Sequence, residues 1–428
     1  MLVNEREVTA ETQPCPSCDG PISIVKGYNP WCPACNWNLN PLRKEENDTL
    51  IQRYYRKAGK YFGDGLLQSV IQDPTRKTNA LSTVFAYMIA SMVHIIGVLV
   101  LLCGVWLAIV GWGKFFFLLG AGVCLLIAWV TRPRFGRQRE EVLERSECPT
   151  LYKIVDEMAV LMGAKRISGI AVNFDYNAAY GTYGLTRKSY VHLGLPLFSI
   201  LQPQEQIALI AHELGHGVNR DTSRGFFVGT AIDTLCEWHY LIRPDRIIER
   251  EGSFMDILMI PVNVLLLGLS KVVLGCIYLL SHLLWRDKQR AEFFADYLAA
   301  SVSGLDAKLG LLEKLHLDHM FRFAVQKVAI TKQQGNAFDE IRAQFKQIPL
   351  SELERVKRIE RLTDARLDAT HPPTSSRIEF LEAKGQHQPV YQISQEDQMR
   401  LEGELRKLEE RLTAKFVSYY QNHPALMY

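Results

Sequence analysis

From Leu81 to Val130 the chain is almost unbroken apolar sequence, interrupted mainly by Gly111, Trp112, Gly113 and Lys114. A helix rises about 1.5 Å per residue and a hydrocarbon core is about 30 Å thick, so this tract is long enough for two spans of about 20 residues each. A buried helix of a soluble core requires less, and Trp106, Trp112 and Trp129 fall where interfacial aromatics are expected. The tract therefore reads as a transmembrane helical hairpin, with His94 inside its first span as a neutral histidine bonded to a neighbouring helix. Arg76 and Lys77 precede it and Arg132, Arg134, Arg137 and Arg139 follow it, while the turn carries only Lys114. That asymmetry predicts that both flanking segments face the cytoplasm. The opening residues show no charged n-region, short apolar core and cleavage site, so no signal peptide is read.

Chemistry enters at Ala211-His212-Glu213-Leu214-Gly215-His216. In an apolar helical setting, His212 and His216 at i and i+4 share a face and present two imidazole nitrogens to one ion, with Glu213 beside its bound water. Downstream, Arg290-Ala291-Glu292-Phe293-Phe294-Ala295-Asp296-Tyr297 offers two carboxylates at i and i+4 on a second predicted helix. Glu292 is the expected third ligand. Two histidines and a carboxylate leave zinc one position for water, whose pKa falls from near 16 toward about 7, and Glu213 takes the proton. Asp296, one turn on, is suited to accept the outer N–H of a ligating histidine. The competing reading is an exposed acidic pair making surface bridges.

These motifs, with Thr370-His371-Pro372-Pro373-Thr374-Ser375-Ser376-Arg377-Ile378 and Asn177-Ala178-Ala179, resemble the HtpX and CAAX-prenyl-protease family of integral-membrane zinc metallopeptidases. The similarity runs from about Glu147 to Glu382 in the family's order. The resemblance implies that Asn177, Ala178 and Ala179 belong to a substrate-binding strand, that His371 lies near the zinc to cover it or stabilise an oxyanion, and that Arg377 supports the site. Read alone, the two prolines disfavour helix at 371–373, and Ser376 to Glu379 has capping-box spacing, so His371 falls on a loop before a helix. The alternative is that His371 merely packs beside proline at a turn.

A second apolar tract, Phe254 to Trp285, separates the zinc helix from Glu292. Both must reach one ion, so the chain between them crosses a membrane an even number of times. Thirty-two residues with Lys271 in the middle are short for two crossings, which predicts a re-entrant or interfacial hairpin, then two true spans, then an apolar wall of the catalytic domain. Gly225 to Leu241 makes a poor crossing because of Asp233, Glu237 and His239, and it would leave Arg243, Arg246 and Arg250 outside.

At the amino end, Cys15-Pro-Ser-Cys18 and Cys32-Pro-Ala-Cys35 have zinc-ribbon spacing. Four thiolates on two tight turns make a closed structural site, and so short a segment needs such a staple. A redox pair or two disulfides compete, but the predicted cytoplasmic side disfavours both. Tyr28, Trp31 and Trp37 offer an aromatic face without a basic cluster, which suggests a protein-docking or regulatory role. The other cysteines, Cys103, Cys124, Cys148, Cys236 and Cys276, lack ligand spacing.

The net charge of +3 gives no case for nucleic-acid binding, because the basic residues gather around the membrane tracts. The expected fold is mainly α with a small β-sheet edge, an α+β zincin-like catalytic domain carrying a zinc ribbon and a transmembrane hairpin. Its expected parts are a ribbon at 1–40, a polar linker with short helices at 41–80, the hairpin at 81–131, the peptidase domain at 132–386 with a membrane-associated insert at 254–285, and a charged helix at 387–428. Leu151 to Met162 reads as an amphipathic helix, and Gly169 to Phe174 with Ser189 to Leu193 as strands bracketing the Asn177 loop, an edge suited to extended peptide. The C-terminal helix is read as contacting a partner, packing, or solvated.

The expectation is a zinc endopeptidase of a prokaryotic plasma membrane, with its N-terminus and catalytic domain cytoplasmic. It would hold one catalytic and one structural Zn2+ and cut misfolded or regulated membrane proteins, taking unfolded or membrane-derived polypeptides as substrate. The alternatives are a prenyl-type protease, for which the apolar length is insufficient, and a membrane-anchored zinc-binding adaptor, against which Glu213 argues. The sequence does not specify an oligomeric state.

Overall fold

A computed structural model of the chain describes residues 11–40, 49–75, 80–133, 136, 138–184, 186–219, 221–243, 260–331, 335–363, 365–367, 369–385 and 387–423. Arg76, Lys77, Arg134, Arg137, Arg246 and Arg250, which entered the topology reading, lie outside the described residues. The fold is mainly α with small sheets. Strands β1 (Glu11–Pro14) and β2 (Pro21–Ile24) pair antiparallel in the ribbon. Helix α1 (Leu50–Gln72) opens on a capping box in which Thr49 and Gln52 bond reciprocally. Among the described residues the linker forms one 23-residue helix rather than several short ones. It packs through Leu66, Leu67 and Val70 against Phe293, Phe380 and Leu381.

Helices α2 (Ala80–Val110) and α3 (Phe115–Val130) form a hairpin around a turn in which Gly113 takes φ 80°. Leu81, Met92, Ile109, Trp112, Phe115, Phe116 and Trp129 are more than half exposed on it, an apolar surface far larger than water tolerates. Helix α3 has 16 residues, fewer than the expected span of about 20, because its start after Lys114 and its stop at Thr131 are set by the Gly113 turn and Pro133.

After the hairpin come β3 (Glu141–Val142), α4 (Pro149–Leu161), β4 (Gly169–Asn173), β5 (Ala178–Tyr183) and β6 (Lys188–Gly194), followed by α5 (Leu195–Ile200), α6 (Pro203–Asn219) and α7 (Asp221–Ile242). The sheet order is β3-β4-β6-β5, with β4 and β6 parallel and the outer pairs antiparallel. The Asn177 loop read from the residues alone gives way to the edge strand β5, which holds Ala178 and Ala179 as the resemblance implies.

The largest correction concerns the second apolar tract. Ile260 to Ser303 is one continuous 44-residue helix, α8, not a shallow hairpin. No proline interrupts it beyond Pro261, and in apolar surroundings every interior N–H needs its i−4 carbonyl, so Lys271 and two glycines do not break it. At about 1.5 Å per residue it can cross a bilayer and still project well beyond it. Helix α7, read as a poor crossing, packs between α2 and α8. Val228, Ala231 and Leu235 join Ala86, Ala90 and Val93 of α2 and Val273, Leu280 and Leu284 of α8 in one apolar cluster. Its polar groups find partners inside that bundle: His94 Nε2 lies 3.1 Å from the Phe227 carbonyl, and Ser270 Oγ lies 3.0 Å from His239 Nδ1. By length and composition, α2 and α8 are the described helices able to cross a membrane.

Helices α9 (Leu305–Leu315), α10 (Asp318–Thr331), α11 (Ala337–Lys346), α12 (Leu350–Arg361), α13 (Thr374–Lys384) and α14 (Gln395–Asn422) complete the chain. The expected capping box at Ser376 is absent: α13 begins at Thr374, directly after the prolines, and has no side-chain cap. Helix α14 is a packing helix. Leu401, Leu405, Leu408, Leu412, Phe416 and Tyr420 fall on one stripe and enter the main core with α4, α6, the sheet and α11.

Candidate metal centre

Pro203 opens α6 at its first turn, and Glu205 Oε2 accepts the Gln202 N–H at 2.7 Å, so the zinc-motif helix starts cleanly. Its buried face carries His212 and Glu213, with half-buried His216 one turn on. The partner is the far half of α8. There Trp285, Gln289, Glu292 and Asp296 recur at spacings of four, three and four and therefore line one helical face. The two helices meet at Gly215, where a Cβ would stand 3.0 Å from Ala295 Cα. A side chain there would hold them apart.

This crossing gathers His212, His216 and Glu292, whose donor atoms all lie within 4.8 Å of one another. His212 Nε2 is 3.6 Å from Glu292 Oε2, and His216 Nε2 is 3.5 Å from Oε1. Those gaps are too wide for hydrogen bonds. Two donors each about 2.1 Å from a tetrahedral ion stand about 3.4 Å apart, so the spacing fits zinc, and two imidazoles with a carboxylate are a donor set it accepts. Glu213 is 5% exposed beside them.

Asp296 lies behind the triad, fully buried. Its Oδ1 is 3.0 Å from His212 Nδ1, which leaves Nε2 as the metal-facing nitrogen. Arg377 clamps the same carboxylate from α13, Nε to Oδ2 at 2.6 Å and Nη2 to Oδ1 at 2.7 Å. Although burial opposes its charge, Arg377 is held even more firmly protonated than usual by Asp296 and Glu292. His371 sits at the mouth, half exposed, with Nδ1 2.8 Å from Glu292 Oε2. The segment carrying it is held by α8: Trp285 Nε1 donates to the Arg366 carbonyl at 3.1 Å, and Gln289 Nε2 donates to the Ala369 and Thr370 carbonyls at 3.2 and 3.3 Å.

The sheet edge runs past the same helix. Gly194 N donates to the Asn177 carbonyl at 2.8 Å, so Asn177 and Gly194 are a hydrogen-bonded pair. Continuing the β5–β6 register, Ala179 and Gly181 also bond to β6, while the backbone groups of Ala178, Tyr180 and Thr182 point to the open edge. Tyr180 abuts Gly217, where a Cβ would meet its Cζ at 2.9 Å, one residue beyond His216.

A family model of peptidase family M48 matches residues 147–384, more than half of the chain. The chain belongs to peptidase family M48. Proteins named protease HtpX homolog are similar to it. That of Pyrobaculum calidifontis is 26% identical over 242 residues, which cover 55% of this chain and 67% of the relative. That of Archaeoglobus fulgidus is 23% identical over 302 residues, 69% of this chain and 83% of the relative. No solved structure matches the chain. Membership makes it a metallopeptidase hydrolase with polypeptide substrates and a zinc-dependent chemistry, for which the centre above is the candidate.

The ribbon holds a second candidate centre. Cys15, Cys18, Cys32 and Cys35 cluster, with Cys15 and Cys35 sulfurs 3.7 Å apart and Cys18 and Cys32 sulfurs 3.6 Å apart. A disulfide needs about 2.05 Å, whereas sulfurs each about 2.3 Å from tetrahedral zinc stand about 3.8 Å apart. The two knuckles repeat one another: Cys15 N bonds Gly20 O and Asp19 N bonds Cys15 O, just as Cys32 N bonds Trp37 O and Asn36 N bonds Cys32 O. Asp19 and Asn36 take the left-handed φ that each turn requires. The backbone N–H of Cys35 lowers the Cys32 thiol, whereas Cys18, despite a backbone bond from Gly20, is raised by the neighbouring sulfurs of Cys35 and Cys32. Trp31 is not an exposed docking aromatic. It is 6% exposed and donates Nε1–H to the Ser351 carbonyl on α12 at 3.0 Å, while Arg355 returns a bond to the Leu39 carbonyl at 2.7 Å.

Reading the sequence missed Lys308, Trp285 and Gln289 at this site. Lys308 had a signal: it occupies the apolar stripe of α9 between Leu305 and Leu312, where a solvated lysine does not belong.

Proposed function

We propose that this chain is a membrane-bound zinc endopeptidase that cuts unfolded or membrane-derived polypeptides at the membrane surface. The mutual spacing of His212, His216 and Glu292, with Glu213 buried next to His212 on the same helix, carries this reading. His212, His216 and Glu292 would hold the zinc, which would supply Lewis acidity and make a water acidic near neutral pH. Glu213 accepts that water's proton and returns it to the leaving amine. Asp296 keeps His212 in the tautomer that ligates through Nε2, and Arg377 keeps Asp296 in place. His371, at the mouth, is positioned to meet the oxyanion that develops on the scissile carbonyl.

An extended substrate adds to the sheet at β5, pairing with the outward backbone groups of Ala178, Tyr180 and Thr182. That pairing reads little side-chain sequence and suits unfolded segments. The site lies beside the helix bundle: Glu292 follows Leu284, the last apolar cluster residue of α8, by eight residues, or about 12 Å. Because His212 and Glu292 reach one ion, the chain between them crosses the membrane an even number of times, with α7 packed against the crossing helix α8. Arg132 and Arg139 after the hairpin favour the cytoplasmic side of a prokaryotic plasma membrane. The four ribbon cysteines hold a second, structural zinc.

The test is cleavage of casein by detergent-purified protein before and after chelation. Cleavage that a zinc chelator abolishes and added Zn2+ restores supports the reading; cleavage that survives complete removal of both zinc ions rejects it.

A further inference from the structure

Lys308 has no place in the mechanism above, yet its side chain is fully buried and its Nζ lies 2.8 Å from Asp296 Oδ1. That oxygen already faces Arg377 Nη2 at 2.7 Å and His212 Nδ1 at 3.0 Å. Arg377 already makes a bidentate pair with Asp296, while its Nη2 also lies 3.8 Å from Glu292 Oε2. A second buried cation on the same carboxylate adds desolvation cost that an apolar side chain of similar length would avoid.

The consequence lies in how Asp296 acts on His212. A carboxylate accepting the outer N–H of a ligating imidazole raises the ligand's basicity, and a more basic ligand binds the metal more tightly while leaving it a weaker Lewis acid. Drawing charge from the accepting oxygen has the opposite effect. We propose that Lys308 is a positioning residue that acts through Asp296 to limit electron donation from His212, giving up metal affinity for faster turnover. The inference rests on the zinc-peptidase reading above.

The test uses full-length protein in detergent and compares the parent, Lys308→Met, Asp296→Asn and the double variant. Active-site zinc affinity is read by chelator competition, and kcat and KM on casein. Lys308→Met is expected to bind active-site zinc about tenfold more tightly and to turn over about tenfold more slowly, with KM unchanged. In the Asp296→Asn background the same substitution is expected to leave zinc affinity unchanged. Lys308→Gln, which keeps a hydrogen-bond donor without the charge, is expected to match Lys308→Met and decides the matter if Met does not fold.

Weaker zinc binding together with slower turnover would mark Lys308 as a packing residue and overturn the inference, as would unchanged affinity or an effect that persists without Asp296. A parent that binds zinc but cleaves nothing would reject the peptidase reading, while the affinity comparison would still judge Lys308.

Discussion

Gly215 of α6 lies directly against Ala295 of α8, close enough that a Cβ on Gly215 would stand 3.0 Å from Ala295 Cα and 3.2 Å from its Cβ. His212 and His216 flank the first residue, and Glu292 and Asp296 flank the second. The contact therefore sets the distance between the two halves of the zinc centre.

Gly215→Val should separate the helices and release active-site zinc while leaving the ribbon zinc in place. Metal analysis of the purified variant is expected to show one zinc per chain, with cleavage down by at least about a hundredfold. Two zinc ions per chain would show that the contact does not govern the site.

Gly194 is equally constrained, since a Cβ would fall 2.0 Å from the Asp175 carbonyl oxygen and 2.3 Å from that of Asn177. Gly194→Ala must push the Asn177 turn away from β6 and tilt the β5 edge. KM for casein should rise more than kcat falls, with a stability loss of about 1–3 kcal/mol in thermal melts. An unchanged KM would dissociate β5 from substrate binding.

Gln289→Ala removes both side-chain bonds from α8 to the carbonyls just before His371. Zinc content should not change, while kcat drops about tenfold as His371 loses its setting. In a His371→Ala background the second substitution should add little, and full additivity of the two losses would show that Gln289 acts elsewhere.

Phe416 is fully buried against Phe338 and Phe174, so α14 is part of the core. Phe416→Ala is expected to cost about 3–5 kcal/mol of stability, read by denaturant titration in detergent. A change below about 1 kcal/mol would return α14 to the status of a solvated appendage.

What was legible in the sequence was the chemistry whose residue spacing is itself the signal. His212 and His216, Glu292 and Asp296, and the paired C-x-x-C knuckles each place their groups by local geometry, so short stretches sufficed. The path of the chain between them was not legible in the same way. Lys271 in α8 and Asp233 and Glu237 in α7 look costly in a membrane when counted one at a time. Helix continuity and packing between neighbouring helices, which no window of sequence displays, decided the outcome. Strand β5 was legible only through the resemblance, which implies a strand at Ala178 and Ala179; the residues themselves, Ala178 to Tyr183, include a glycine and carry little alternation, and alone they read as a loop. Trp31 illustrates the same limit: its face was visible, but its partner is Ser351, 320 residues away.

The most direct measurement compares the parent with Glu213→Gln, counting bound zinc and casein cleavage on the same preparations. The account predicts two zinc ions per chain in both proteins, with cleavage in the parent and a loss of at least about a thousandfold in the variant. Comparable cleavage by the two proteins with zinc retained would contradict it, because the proton would then be taken by a group other than Glu213.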